Sequence, residues 1–184
     1  CTARRRVDHF YRTKEIAAAP AGGRGGPPGP PGTGFKPLTE PIEAYPSDLA
    51  YTTTTDGTRV PYVVRVESGT INRSIYRIAV LDDPVRSRNG PTWSPGAGWN
   101  RRLIVSFGGG CGAGYHQGTN QAVPVLFEPA LSQGFAHAIS TLNVMAVQCN
   151  DQLSGEALMM IKEHFIERYG LPVWTMRFVG CGGG

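Results

Sequence analysis

The sequence predicts an α/β fold, and three observations predict it. From Arg101 onward, short apolar runs alternate with helical patterns in the order strand, helix, strand, helix, strand. That order is the signature of parallel strands joined by crossover helices. Upstream, two β-rich runs flank a turn and read as a hairpin. Two glycine-rich stretches each follow an apolar strand directly, the place where open α/β sheets put their sites.

The elements follow in chain order. Residues 1–19 read as irregular structure with a short helix near Val7–Tyr11, and a Pro/Gly-rich surface linker covers 20–41. Gly-Pro-Pro occurs twice in succession there, too few triplets for a collagen helix. The expected division is 1–58 as an irregular N-terminal segment and 59–184 as the first part of the folded domain. Tyr62–Val66 and Ser74–Leu81 form the hairpin, with the reversal placed around Ser68-Gly69 and Asn72. Asp82-Asp83-Pro84 ends it, and Arg86–Asn100 is a loop anchored by Trp93 and Trp99.

Leu103–Phe107 is a continuous apolar run, as expected of a strand covered on both faces. A helix is expected over Pro124–Gln133, stopped by Gly134, and a second buried strand over Phe135–Thr141. Leu153–Tyr169 is the best helix, with Leu158, Ile161, Phe165 and Tyr169 at spacings of three and four. Asn150-Asp151 caps it, Gly170 stops it, and Pro172 prevents continuation. Val173–Val179 is the next strand.

Composition narrows the function. The chain of 184 residues is long enough for one domain with a sizeable core. No apolar run approaches the ~18 residues of a membrane span, and no signal peptide opens the chain. The first residue is cysteine, which reads as a piece of a longer protein. The net charge of +4 is concentrated in Arg4, Arg5, Arg6, Arg12 and Lys14. With no aromatic stacking platform or recognition motif beside it, this basic stretch reads as solvated surface rather than a nucleic-acid site.

Cys1, Cys111, Cys149 and Cys181 match neither a redox C-x-x-C pair nor a zinc pattern. Cys111 and Cys149 follow two successive strands. If those strands are sheet neighbours, a Cys111–Cys149 disulfide across their loops is geometrically reasonable. It would close about 38 residues and contribute roughly 3–4 kcal/mol in the chain-entropy model. It also implies an oxidising compartment, hence a secreted or periplasmic protein.

Val179-Gly180-Cys181-Gly182-Gly183-Gly184 has the setting of a nucleophile elbow, a tight turn after a strand that lifts a reactive side chain above the sheet. Cys181 is the candidate nucleophile, against the plain alternative of a buried or disulfide-bonded cysteine. Gly108-Gly109-Gly110, after the earlier strand, lacks both G-x-G-x-x-G spacing and a Gly-Lys-Ser/Thr, so it is a poor phosphate cradle. As an oxyanion loop it makes better sense, with backbone N–H groups of Gly109 or Gly110 joining that of Gly182.

Tyr115-His116-Gln117 lies just beyond and is a candidate substrate contact. His116 is not read as the triad base, because the catalytic histidine of such enzymes comes last. His164 reads as a surface or helix-packing residue, and His9 and His137 have no evident partner. No cofactor and no metal site is expected.

Tyr51–Gly183 resembles an uncharacterised family of secreted bacterial proteins, related to the tannase, feruloyl esterase and hydroxybutyrate-oligomer hydrolase branch of the α/β-hydrolases. Val63–Asp83, Ser106–Gly118 and Met160–Gly170 carry the resemblance. It implies the front portion of an α/β-hydrolase fold, ending at a G-G-S-G-G elbow. Here Gly180-Cys181-Gly182-Gly183 has cysteine at the serine position, and Val179 replaces a glycine. That cysteine is a natural nucleophile, an engineered replacement of serine, or an imperfectly assigned residue; all three readings stand open.

The leading expectation is a hydrolase of carboxylic esters, acting on a small or oligomeric ester through an acyl-enzyme. Its triad acid and histidine are expected in the C-terminal remainder of the same protein, on a downstream segment or a second chain. The alternatives are a cysteine-dependent acyltransferase of polyester-synthase type and a catalytically inactive binding or structural protein.

Overall fold

A computed structural model describes residues 4–14, 34–39, 41–86, 94–108, 117, 125–143 and 148–179. Seven strands form one mixed sheet in the order β2-β1-β5-β6-β8-β7-β9. These are β1 (Arg6–Arg12), β2 (Phe35–Leu38), β5 (Val63–Ile71), β6 (Ser74–Asp82), β7 (Arg102–Phe107), β8 (Ala136–Ser140) and β9 (Trp174–Val179). A separate two-stranded ribbon pairs β3 (Tyr51–Thr53) with β4 (Arg59–Pro61). β8, β7 and β9 run parallel to one another, whereas every pairing from β2 through β6 to β8 is antiparallel. The fold is therefore α/β with a mixed sheet, and its parallel part is confined to the last three strands.

The expected hairpin is present but longer, with its reversal moved. β5 continues through Ser68-Gly69, and the turn falls on Asn72-Arg73, both with positive φ (50° and 62°). A two-residue loop with both φ positive matches the right-handed twist of the flanking strands. Gly69 stays in the strand because the Tyr76 ring lies over it; a Cβ there would sit 2.8 Å from Tyr76 Cε1.

The amino-terminal stretch is corrected more strongly. Arg6–Arg12 is neither irregular nor helical but a strand between β2 and β5. The end of the expected linker, Phe35–Leu38, is also strand, and Phe35 buries its ring against Tyr62 with centroids 5.4 Å apart. Local sequence hides β1 because its charged residues mask the alternation. The exposed edge of β5 offers it a backbone ladder, and that tertiary pairing decides.

Helix α1 spans only Glu128–Leu131, much shorter than the expected Pro124–Gln133. Its N-cap, Phe127, makes no side-chain cap, and Gly134 stops the turn at φ 86°. Helix α2 spans Asp151–Tyr169. Asn150 caps it by accepting from the Leu153 N–H at 3.0 Å, and Gly170 ends it at φ 95°. Ala157, Ile161, Phe165 and Tyr169 recur every fourth residue and are the positions it buries.

The two helices cover opposite faces. Leu131 of α1 joins Val64, Val66, Ala79, Leu81, Val125 and Ile139 in one core. On the other face, Ile161, Phe165 and Tyr169 of α2 pack on Ile78, Val80, Leu103, Val105, Phe107 and Ala138. α1, between β7 and β8 in the chain, and α2, between β8 and β9, thus lie on opposite faces of the sheet.

Candidate active site

The site is best approached from the carboxyl edge of the parallel strands. β7 lies between β8 and β9, with Ser106 opposite Ile139 and Phe107 opposite Val179. Neighbouring strands lie about 4.8 Å apart, so the segments that follow β7 and β9 start at one level on adjacent strands. One begins with Gly108 and the other with Gly180.

Gly108 is tied down at once. Its N–H donates to the carbonyl of Asn143 at 2.8 Å, in the 3-10 turn (Thr141–Asn143) that ends β8. Asn143 is buried, and its Nδ2 donates to the carbonyl and Oγ of Ser154 in the first turns of α2, at 2.8 and 2.9 Å. The carboxyl edge of β8 and β7 is thereby braced against the start of α2.

Beneath this edge, Ser106 Oγ lies 2.7 Å from Nε2 of His137, and His137 Nδ1 lies 2.8 Å from the carbonyl of Val125. A carbonyl only accepts, so Nδ1 carries the proton and donates to Val125. Nε2 is then left to accept from the Ser106 hydroxyl. Burial lowers the His137 pKa to about 4, against the raising effect of the Val125 bond, and keeps the ring neutral at ordinary pH. Phe127 packs against the ring, with centroids 5.4 Å apart.

A second polar cluster lies on the α2 face. The side chain of Glu67 is fully buried; Oε1 accepts from Tyr76 OH at 2.8 Å and pairs with His164 Nε2 at 2.7 Å. Oε2 accepts from Tyr169 OH at 3.0 Å, with Arg5 and Arg65 at 3.2 and 3.4 Å. Burial alone would raise the Glu67 pKa. The hydrogen bonds from His164, Tyr76 and Tyr169 overcome this and hold it at about 2. His164 therefore pins α2 to the sheet through a buried carboxylate, which agrees with the helix-packing side of its reading and adds the polar partner.

Of the residues singled out from sequence, Cys181, Gly182, Gly109, Gly110, Cys111, Tyr115 and His116 lie outside the described residues. Gln117 is half-buried. Cys149 is exposed, sits just before the α2 cap, and is disulfide-bonded. The other three cysteines all lie outside the described residues.

Sequence reasoning missed the Ser106–His137 pair and left His9 without a partner, although His9 Nε2 lies 3.1 Å from Asp82 Oδ2. One signal for His137 was available: a histidine inside an apolar strand needs a buried polar partner. Among the described residues, no group of three or more His, Cys, Asp or Glu is placed to hold a metal ion. None of their helices is long and apolar enough to cross a membrane.

An α/β protein with glycine-rich segments leaving adjacent parallel strands is the class defined by this geometry. The chain belongs to the Tannase-like family of unknown function (DUF6351), whose model matches residues 1–184. Searches of curated proteins and of solved structures found no match.

Proposed function

We propose that this chain carries the nucleophile and the oxyanion loop of a hydrolase acting on carboxylic ester bonds, within an α/β-hydrolase architecture. The observation that carries the reading is the shared register of β7 and β9, with Phe107 opposite Val179. The glycine loop and the Cys181 turn follow directly on strands one spacing apart. The tannase-like character of the family supports an ester as the bond attacked.

In this mechanism the Cys181 thiolate adds to the ester carbonyl carbon, forming a C–S bond while the carbonyl electrons move onto oxygen. The N–H groups of Gly182 and of Gly109 or Gly110 stabilise that oxyanion. The Gly108 N–H already donates to Asn143, which leaves the next two glycines as the donors of the loop. Collapse expels the alcohol, which takes a proton from a general acid. Water then cleaves the thioester and returns Cys181. The acid and base belong to the remainder of the same protein, and Tyr115, His116 and Gln117 are the proposed substrate-binding residues.

Cys111, which follows the strand beside β8 in the sheet, is the proposed partner of Cys149. β7 and β8 are neighbours about 4.8 Å apart, whereas β8 and β9 are two spacings apart. A disulfide spans about 4.4–6.8 Å between Cα atoms. Such a bridge fits an oxidising compartment and therefore secretion or export to the periplasm.

The test is steady-state and burst kinetics of the full-length protein on p-nitrophenyl esters. The reading expects turnover with a burst of nitrophenol, abolished in Cys181→Ala. Unchanged turnover in that variant would overturn it.

A further inference from the structure

A groove of about 290 Å³ opens between the β3–β4 ribbon, the end of β6 and the backbone of residues 96–98. Its floor is apolar, formed by Val60, Pro61 and Leu81. Gly98 closes over Leu81 so tightly that a Cβ there would sit 2.8 Å from the Leu81 Cβ. β6 runs antiparallel to β8, so Asp82 at the end of β6 falls beyond the pairing of Ala79 with His137, at the amino end of β8. The carboxyl edge that carries Gly108 is roughly 15 Å away along the strands, at about 3.3 Å per residue.

Four charged side chains line the groove, and three of them are already engaged. Asp82 is buried, with Oδ2 3.1 Å from His9 Nε2 and Oδ1 accepting from the Asp83 N–H at 2.8 Å. Asp83 accepts from Tyr45 OH and pairs with Arg86 at 3.6 Å. Arg59 differs. Among the described residues it makes no hydrogen bond or ion pair, and its guanidinium lies over the Tyr51 ring, 4.7 Å from the centroid. Contact with the face of a ring holds a guanidinium and leaves its N–H donors for another partner. Tyr51 is 51% exposed, so this pair stands at the mouth of the groove.

We propose that this groove binds a small carboxylate with an apolar body, the carboxylate taken by Arg59 and the body laid on Val60, Pro61 and Leu81. A guanidinium meets the two oxygens of a carboxylate with two parallel N–H donors, a match that a neutral isostere lacks. A cation is disfavoured, because both acids of the groove are already paired and both arginines repel it. The volume lies near the lower end for ligand pockets and suits a single ring or a short chain. Ester hydrolysis releases acids of this class, but the groove is separate from the proposed active site and its ligand does not depend on that reading.

The experiment is isothermal titration of the full-length protein at low ionic strength with benzoate, benzamide and benzylammonium, three probes of similar shape and different charge. Wild type should bind benzoate saturably and benzamide about tenfold more weakly or worse, the scale of a hydrogen bond to a charged group. Arg59→Gln should weaken benzoate by about tenfold or more and leave benzamide unchanged. Arg59→Lys keeps the charge without the fork and should fall between them. Arg86→Gln should cost less than Arg59→Gln, because Arg86 already serves Asp83. No benzoate binding to wild type, equal benzoate affinity in folded Arg59→Gln, or a preference for benzylammonium would overturn the inference. If Arg59→Gln does not fold, Arg59→Lys decides, and wild-type affinity for benzoate in that variant would count against the fork. A wild type that binds benzoate through Arg59 but turns over no ester would overturn the proposed function and leave this groove standing.

Discussion

Glu67 accounts for how α2 is fixed, and it does so through one carboxylate. Two phenols, an imidazole and two guanidinium groups converge on a side chain with no exposed surface. Replacing it by glutamine removes the charge but leaves Arg65 buried and two phenol donors facing an amide. Glu67→Gln should cost roughly 3–5 kcal/mol, the range for breaking one side of a buried pair, in urea unfolding of the folded protein. Gly69 guards the same cluster. A Cβ there would lie 2.9 Å from Tyr76 OH, so Gly69→Ala should cost about 1–3 kcal/mol and displace Tyr76 from Glu67. Near-UV circular dichroism of the tyrosines reads the displacement.

At this scale the sequence was least legible. Glu67 and His164 are 97 residues apart, and Ser106 and His137 are 31 apart. No local pattern announces such pairs, because they depend on strand order.

Elements were legible where local chemistry and tertiary context agree. The ends of α2 were readable because Asn150, Gly170 and Pro172 are punctuation with a mechanism. Asn150→Ala should lower stability by about 1 kcal/mol, measured as a shift in the urea midpoint at constant slope. The apolar runs of β7 and β8 were readable because parallel strands are covered on both faces. β1 was not, since Arg6, Asp8 and Arg12 dilute its alternation and only the ladder on β5 makes it a strand. α1 was overestimated because Pro129 and the uncapped Phe127 start leave it a single turn.

Of the candidate site, the strand setting of both glycine stretches was legible; the Asn143–Ser154 brace and the Ser106–His137 pair were not.

Across the whole molecule, two buried groups set the acid limit of stability through the same sign. The folded-state pKa of His137 is lowered to about 4 by burial, below the ordinary histidine value of about 6.5. The unfolded chain therefore binds more protons between these values, and stability is lost as pH falls from about 6.5 towards 4. Glu67, held at about 2, repeats the effect below the ordinary carboxylate value of about 4.3. Stability should fall in two overlapping stages on acidification. His137→Phe should flatten the upper stage and Glu67→Gln the lower one, in chemical denaturation followed from pH 8 to 3.

The sheet that unites these groups also aligns the carboxyl ends of β7 and β9, on which the proposed ester chemistry depends. That dependence narrows to the state of one sulfur. The measurement that decides it is a peptide map of the full-length protein, made without reduction after brief exposure to a p-nitrophenyl ester and acid quench. The account predicts a Cys111–Cys149 bridge and an acyl group on the peptide containing Cys181. A Cys149–Cys181 bridge, or acylation at another residue with Cys181 unmodified, would contradict it.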